Sequence, residues 1–418
     1  MNVLFLSISS MPHMSEHSIS LDLLHEFKRQ GHNVYTVSAL PHGDEFETNV
    51  SVENEITALR VKIGKNKKAN PIVKGITTVL MPNNYISAIK KYFANVKFDL
   101  VMYPTPPVTL VDVVKFIKKR DGAKSYLLLK DIFPQNAVDI GMMSKSGVKG
   151  LLYGYFRNKE KNLYAISDYI GCMSQANVDY VLKHNNEVSP EKIEICPNSI
   201  EVSDKSISGE QREEIRKKYD IPVDKKVFIY GGNLGKPQGI PFLVECLKSQ
   251  KDNDKAYFIV VGDGTEFKKL EAFFNAENPS NMKLMKRLPK EDYDIMVAAC
   301  DVGMIFLDHR FTIPNFPSRL LAYMQAKVPV IACTDVNSDI GQVITEGGFG
   351  LWCESNSVNA FSKCVEDFTN CDLSSMCQRE FAYLDENYNV ERAYETIISR
   401  IISEEELVRE GINDKLSV

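Results

Sequence analysis

Several patterns are missing from this 418-residue sequence, and each absence closes off a class of protein. None of the nine cysteines lies before Cys172, none forms a Cys-x-x-Cys pair, and none joins histidines at zinc spacing. An odd number of scattered cysteines in a chain this long reads as free thiols of a reducing compartment. The N-terminal apolar run, Val3-Leu4-Phe5-Leu6, has no basic residues before it and is far too short to cross a bilayer. A buried strand is predicted there, and a cytoplasmic location is expected. The sequence holds no low-complexity tract and no repeat of solenoid period. It also lacks the Walker spacing and the G-x-G-x-x-G fingerprint, which removes the two commonest glycine-rich phosphate patterns.

What remains is the composition of an ordinary globular protein, 44% hydrophobic and 25% charged. Its length exceeds what one hydrophobic core supports, so two domains are expected. Charge is divided unevenly: residues 1–200 carry a net +5 and the remainder a net −10, which together give the overall −5. Basic residues of the first part gather in Lys62–Lys74 and in Lys115, Lys118, Lys119, Arg120 and Lys124. They suggest a face for anionic lipid headgroups or an anionic acceptor, the bland alternative being a solvated face. No aromatic-interleaved basic motif accompanies them, so nucleic acid is not an expected partner.

Hydrophobic periodicity gives the order of elements. Val3–Ser9, Val34–Ser38, Thr57–Val61, Leu100–Tyr103, Ser125–Leu129, Tyr169–Met173 and Ile193–Cys196 read as short apolar strands. Helical stretches lie between most of them, beginning with Ser15–Gln30, which Gly31 ends. A polar stretch over Pro197–Gln211 reads as a linker. A second series follows: Val227–Tyr230, Tyr257–Val261, Met282–Met285, Val302–Phe306, Val328–Ala332 and Gly350–Trp352. Alternation of this kind predicts an α/β fold of two Rossmann-like, doubly wound units facing each other across a cleft. The expected boundaries are residues 1–200 and 201–389, with a C-terminal helix in 390–418 packing back on the first unit. Lone Trp352 is expected in the core.

Three segments carry the chemistry. In Tyr230-Gly231-Gly232-Asn233-Leu234-Gly235-Lys236-Pro237-Gln238-Gly239 a strand runs into a glycine-dense loop. Glycines let backbone N–H groups come close to a phosphate, and Lys236 supplies a charge; the plain alternative is a tight turn. Gly262-Asp263-Gly264 ends the next strand in the same way. The most informative segment is Asn315-Phe316-Pro317-Ser318-Arg319, which leads into an apolar helix. Ser318 stands at the N-cap and Arg319 in the first turn. A first-turn arginine opposes the helix dipole unless an anion is bound there.

These marks, together with Tyr323-Met324, Val328-Pro329-Val330 and Lys130-Asp131-Ile132-Phe133-Pro134, resemble the retaining, family-four-type glycosyltransferases of GT-B fold, the glycosyl transferases group 1. The resemblance covers essentially the whole chain, and within that family it is similar to bacterial capsule and O-antigen enzymes of the fucosamine-transferase-like group. It implies transfer of a sugar from a nucleotide diphosphate sugar, of the UDP-sugar type, to a glycan or polyprenyl-linked glycan acceptor. It implies no metal and no cofactor beyond the substrate, and peripheral contact with the inner leaflet of the membrane. By position, the loop of Gly231, Gly232, Asn233 and Gly235, with Lys236 and Arg319, would hold the donor diphosphate. Main-chain groups near Arg287 and Leu288 would meet the base, Asn315, Phe316 and Pro317 would lie along the donor sugar, and Gly262, Asp263 and Ser318 would also bind the donor. Lys130 and Asp131 would face the reacting centre, and His13 the acceptor.

The sequence departs from the family's pattern at two places. Asn233 and Gln238 replace the usual Arg and Lys, which leaves the leaving-group charge to Lys236 or Arg319. The Glu-x7-Glu pair, whose second member usually binds ribose, is Pro314 and Ala322 here. A non-catalytic subunit of the same fold or a sugar-nucleotide epimerase are the alternative expectations.

Overall fold

The computed structural model describes residues 1–11, 13–40, 47–63 and 71–402, the side chains of 71–80 excepted. The chain forms two compact units: Met1–Glu201 with the final helix that starts at Val390, and Val202–Asn389.

The first unit is built on β1 (Asn2–Ser10), β2 (Asn33–Ala39), β3 (Asn49–Glu53), β4 (Ile56–Val61), β5 (Leu100–Thr105), β6 (Lys124–Leu129), β7 (Tyr169–Cys172) and β8 (Ile193–Ile195). They lie in the order β3-β4-β2-β1-β5-β6-β7-β8, parallel except where β3 runs against β4. Side chains alternate across a strand, so one apolar run serves two cores. Val3 and Phe5 of β1 enter one core with Leu24, Phe27 and Ile397. Leu4 and Leu6 enter the other with Tyr85, Ile89 and Val113.

The first helix, Ile19–Arg29, starts where Ser18 Oγ accepts from Leu21 N at 3.3 Å. Gly31 follows it at φ +83°, a conformation that favours glycine. The final helix, Val390–Ile401, buries Val390, Ala393, Tyr394, Ile397 and Ile398, one stripe at helical spacing. It packs in the first unit, where the Tyr394 ring meets Phe27 edge-on at 4.9 Å and its hydroxyl lies 2.9 Å from His32 Nε2. Residues 403–418 of the predicted C-terminal segment lie outside the described residues.

β3 has no continuous apolar run: it is an edge strand whose two valines, Val50 and Val52, alternate with polar residues and are exposed. It braces the loop after β1. Arg60 Nε donates to Met11 O at 3.0 Å and its Nη2 to Glu53 at 3.0 Å, while Met14 N donates to Glu53 at 3.2 Å. Hydrogen bonding by Arg60 holds the Glu53 carboxyl down at about 2.

The second unit is a six-stranded, wholly parallel sheet in the order β11-β10-β9-β12-β13-β14. Its strands are β9 (Lys226–Asn233), β10 (Ala256–Asp263), β11 (Met282–Lys286), β12 (Val302–Phe306), β13 (Val330–Thr334) and β14 (Gly350–Glu354). Phe228, Tyr230, Phe258, Phe306 and Phe361 are among the large side chains of its core.

Trp352 departs from the sequence expectation. On the edge strand β14 it is 37% exposed, lies over the Cα of Gly341, and donates from Nε1 to Thr334 Oγ1 at 2.9 Å. An edge strand leaves one flank uncovered, so a large ring there is only half enclosed.

The basic cluster near Lys118 is partly internal. Lys118 Nζ reaches Asp168 at 2.6 Å and Ile166 O at 2.8 Å, and Arg120 bonds Asp121 and the Phe93 and Val96 carbonyls. Lys115, Lys119 and Lys124 remain exposed. Of the Lys62–Lys74 cluster, Lys65, Lys67, Lys68 and the Lys74 side chain lie outside the described residues.

Candidate functional site

In a parallel α/β sheet the loops that can reach a ligand leave the C-terminal ends of the strands. In the second unit that edge carries the end of β9 and the segment entering the Arg319–Ala326 helix. Most glycines here answer to packing. A Cβ on Gly231 would fall 2.0 Å from the Tyr293 hydroxyl, one on Gly262 2.1 Å from Gly232 O, and one on Gly264 2.4 Å from Leu234 O. Asp263 is exposed and accepts from Gly264 N at 2.8 Å, closing its own turn. Asn233 and Gln238 bond each other at 3.2 Å, and Gln238 Oε1 also takes Gly235 N at 3.1 Å. Gly232 differs. It is exposed, sits at φ +115°, and a Cβ there would point toward Arg319 Nη2 at 3.7 Å.

Arg319 is the unusual residue. Its guanidinium lies 4.4 Å over the Tyr230 ring, and its Nη1 is buried with no hydrogen-bond partner. No carboxylate pairs with it among the described residues. Cation–π contact with Tyr230 replaces part of the lost hydration, but an unfilled, buried N–H on a cation is costly. Ser318 holds the N-cap position with helical dihedrals, and its side chain caps nothing, so the first-turn N–H groups are not consumed by it. Tyr230 and Tyr293 were not singled out by the sequence reading. Tyr293 has no sequence signal at all, because its contact with Gly231 is between distant helix and strand.

The approach to this helix is held in place by the loop after β13. Asn337 Nδ2 donates to Phe311 O at 2.6 Å and Asn315 N donates to Ser338 Oγ at 2.9 Å. Ser338 is in turn fixed by Asp335 at 3.0 Å. Asn315 Nδ2 is a second buried donor with no partner. Phe316 turns inward against Tyr388 at 5.9 Å, and Pro317 is half-buried beside it. Lys236 is exposed at the start of a short 3₁₀ turn, Lys236–Gln238. Arg287 is exposed and Leu288 half-buried just past the end of β11. Ala322 lies one turn into the arginine's helix and is half-buried.

In the first unit, Lys130 and Asp131 follow β6 directly, and the Asp131 carbonyl accepts from Thr105 Oγ1 at 3.1 Å. Both side chains keep some exposure, yet the protein around them withdraws water. Burial lowers the Lys130 ammonium to about 8 and raises the Asp131 carboxyl to about 6. Lys130 also lines a shallow hollow, open in part to solvent, with Leu23, Leu128, Met173 and Asn198. His13 is exposed, between Met11 and Met14, whose backbones are pinned by Arg60, Glu53 and His25.

Among the described residues no group of three or more His, Cys, Asp or Glu is placed to hold a metal ion. The two Asp-x-Asp triplets do not alter this. Asp252 and Asp254 flank a turn at the far end of β10, and Asp294 pairs with Lys205 at 2.9 Å.

Comparison with known proteins bears on the same unit. Residues 211–383 match the family described as Glycosyl transferases group 1. The chain is 24% identical over 330 residues to the probable glycosyltransferase WbjE of Pseudomonas aeruginosa, covering 78% of this chain and 80% of that one. It is 21% identical over 326 residues to the putative colanic acid biosynthesis glycosyl transferase WcaI of Escherichia coli, covering 76% and 74%. Among solved structures it is similar to sucrose-phosphate synthase from Thermosynechococcus elongatus, with a TM-score of 0.74 at 12% identity over 99% and 100% of the two chains. The Anabaena protein HepE in complex with UDP gives 0.64 at 16% identity over 95% and 98%. The two parallel-sheet units are those of the GT-B fold. The second unit carries a group 1 glycosyltransferase domain, and the chain is a glycosyltransferase enzyme.

Proposed function

We propose that this enzyme moves a sugar from a nucleoside diphosphate donor, of the UDP-sugar type, onto a glycan or polyprenyl-linked glycan in the assembly of a cell-surface polysaccharide. Retention at the anomeric carbon, independence of metal, and kinship with capsule and O-antigen enzymes belong to the same proposal. The observation that carries it is the unpaired Nη1 of Arg319 beside Gly232. The name of WcaI, with its colanic acid, supports the acceptor class, and the UDP bound to HepE supports the donor class.

The chemistry follows from charge. When the bond between the anomeric carbon and the diphosphate oxygen breaks, positive charge grows on the sugar and negative charge on the departing diphosphate. A guanidinium already held in place and partly dehydrated needs little reorganisation to meet that charge, so it favours the transition state over the ground state. Lys236, exposed and unpaired among the described residues, adds a mobile charge, and Asn315 Nδ2 a neutral donor. A carboxyl held near 6, as in Asp131, exchanges its proton in the neutral range and suits the proton of the acceptor hydroxyl.

A thermal-shift screen with nucleoside diphosphates and their sugars tests the donor class, since a ligand that binds only the folded state raises the melting point. UDP or UDP-sugars are expected to give the largest shifts. Free nucleoside diphosphate released only in the presence of acceptor marks a transferase; release without acceptor, or no shift by any nucleotide, contradicts the proposal.

A further inference from the structure

We propose that Tyr230 is a positioning residue for the donor diphosphate, its ring aiming the Arg319 guanidinium and its hydroxyl tying that support to the glycine-rich end of β9. The role rests on the donor reading above and says what holds the charge in place. Tyr230 is 0% exposed and stands on β9 directly before Gly231. The Arg319 guanidinium lies 4.4 Å over its ring, and its hydroxyl donates to Asn233 O at 3.1 Å. Gly232 comes close to the same guanidinium, since a Cβ there would stand 3.7 Å from Nη2. One buried side chain therefore touches both the arginine and the glycine-rich segment.

An arginine can be held by a carboxylate or by an aromatic face, and the two leave it in different states. A carboxylate takes up N–H groups and cancels the charge. A ring attracts the guanidinium through its negative face and uses none of the in-plane N–H groups. Arg319 is in the second state: its Nη1 is buried and still unfilled. The plain alternative is that Tyr230 only fills the core, which it also does. Core filling alone asks for no hydroxyl, because a phenol buried without a partner is costly. This hydroxyl is spent on the Asn233 carbonyl, within the segment that approaches the arginine.

The surroundings fix the distance from ring to guanidinium before any ligand arrives. Phe306 meets the Tyr230 ring edge-on at 5.8 Å. Tyr323, one turn along the Arg319 helix, sets its hydroxyl 3.2 Å from Ile229 O and 3.1 Å from Met304 O. That anchors the helix to β9 and β12. Gly303 leaves space for the Tyr323 ring, since a Cβ there would fall 2.6 Å from it. A charge aimed in this way needs little reorganisation when the diphosphate departs.

Calorimetric titration of UDP into the full chain, Tyr230→Leu, Arg319→Met and the double variant tests whether the tyrosine acts through the arginine. Tyr230→Leu should weaken binding about fivefold or more, and Tyr230→Phe, which keeps the ring, should recover most of the loss, to within about threefold of wild type. In the Arg319→Met background Tyr230→Leu should weaken binding no further, because no guanidinium is left to aim. A full additional loss in that background overturns the inference and leaves the donor reading standing. So does wild-type binding by Tyr230→Leu where Arg319→Met binds weakly, or an equal loss in the leucine and phenylalanine variants. Equal affinity in wild type and Arg319→Met overturns the donor reading and this role with it. Should Tyr230→Leu fail to fold, the Arg319 Nε–H resonance of the wild-type chain decides, identified by its loss in Arg319→Met. Ring current should place it upfield of exposed arginines, with UDP bound as without, and in Tyr230→Phe as well. An unshifted signal overturns the inference.

Discussion

The second unit has two arginines at opposite ends of β9, Arg216 buried and Arg319 half-buried, and the protein treats them differently. Arg216, at the end where the strand begins, is fully occupied. Its Nε donates to Ala299 O at 2.9 Å, Nη1 to the Pro222 and Lys225 carbonyls at 3.3 Å, and Nη2 to Asp301 at 2.7 Å. Arg319, at the end where the strand finishes, has an aromatic ring beneath it and a buried N–H with nothing to bond. A guanidinium that serves the fold is completed by the fold. On the proposed function, one that the fold leaves incomplete, at the edge where ligands bind, is the one a ligand would complete. Desolvating a cation without a counter-charge costs stability, and a diphosphate that supplies the charge recovers it.

That contrast can be broken at either end. Arg216→Met leaves Asp301 with one cation fewer in a buried setting, and a loss of about 3–5 kcal/mol is expected in urea unfolding. The UDP affinity of the fraction still folded should not change. Arg319→Met removes an unpaired charge, so its melting temperature should hold or rise. Its turnover should drop about 100-fold or more, which is about 2.7 kcal/mol of transition-state stabilisation. If both substitutions damage stability alike and leave kinetics alike, the two arginines are not different in kind.

Glu380 sharpens the comparison with a group of opposite sign. It is 0% exposed, neither carboxylate oxygen has a hydrogen-bond partner, and burial raises its proton affinity well above the usual carboxyl range. A raised acid contributes fully below the unfolded carboxyl range, and that contribution is lost as pH climbs toward the folded value. Glu380→Met is therefore expected to be more stable than wild type at pH 8, by about 1–3 kcal/mol, with little difference near pH 4. Thermal unfolding at the two pH values checks this; an equal gain at both would show that proton linkage is not the cause.

The smallest effect is expected in the first unit. If the ionised Asp131 carboxylate takes part in proton transfer, activity falls as pH drops through about 6, and Asp131→Asn loses that acid limb together with part of its rate. A variant whose pH profile keeps the limb would assign it to another group.

The sequence made the strands legible because each interior strand is buried on both faces and is spelled in apolar residues. Val302–Phe306 is found where the run predicts it, and the others differ by a residue or a few at their ends. β3 escaped because an edge strand needs no apolar run, and its role, bracing the loop that carries His13, depends on an Arg60–Glu53 contact made by folding. Trp352 was misjudged for the related reason that size predicts burial only where the neighbours on both sides exist. At the candidate site, Arg319 stood out in the sequence through its place in a first helical turn. The glycines beside it did not resolve into functional and structural ones until the packing was known. Gly231 makes room for Tyr293, and Gly262 for the backbone of Gly232.

The most direct test is a calorimetric titration of UDP into the wild-type chain and Arg319→Met, with Arg216→Lys as the control for damage at the other end of the sheet. The account predicts that Arg319→Met binds at least tenfold more weakly while melting no lower than wild type, and that Arg216→Lys binds as wild type does. Equal affinity in the wild type and Arg319→Met would mean that the unfilled guanidinium is not where the diphosphate sits.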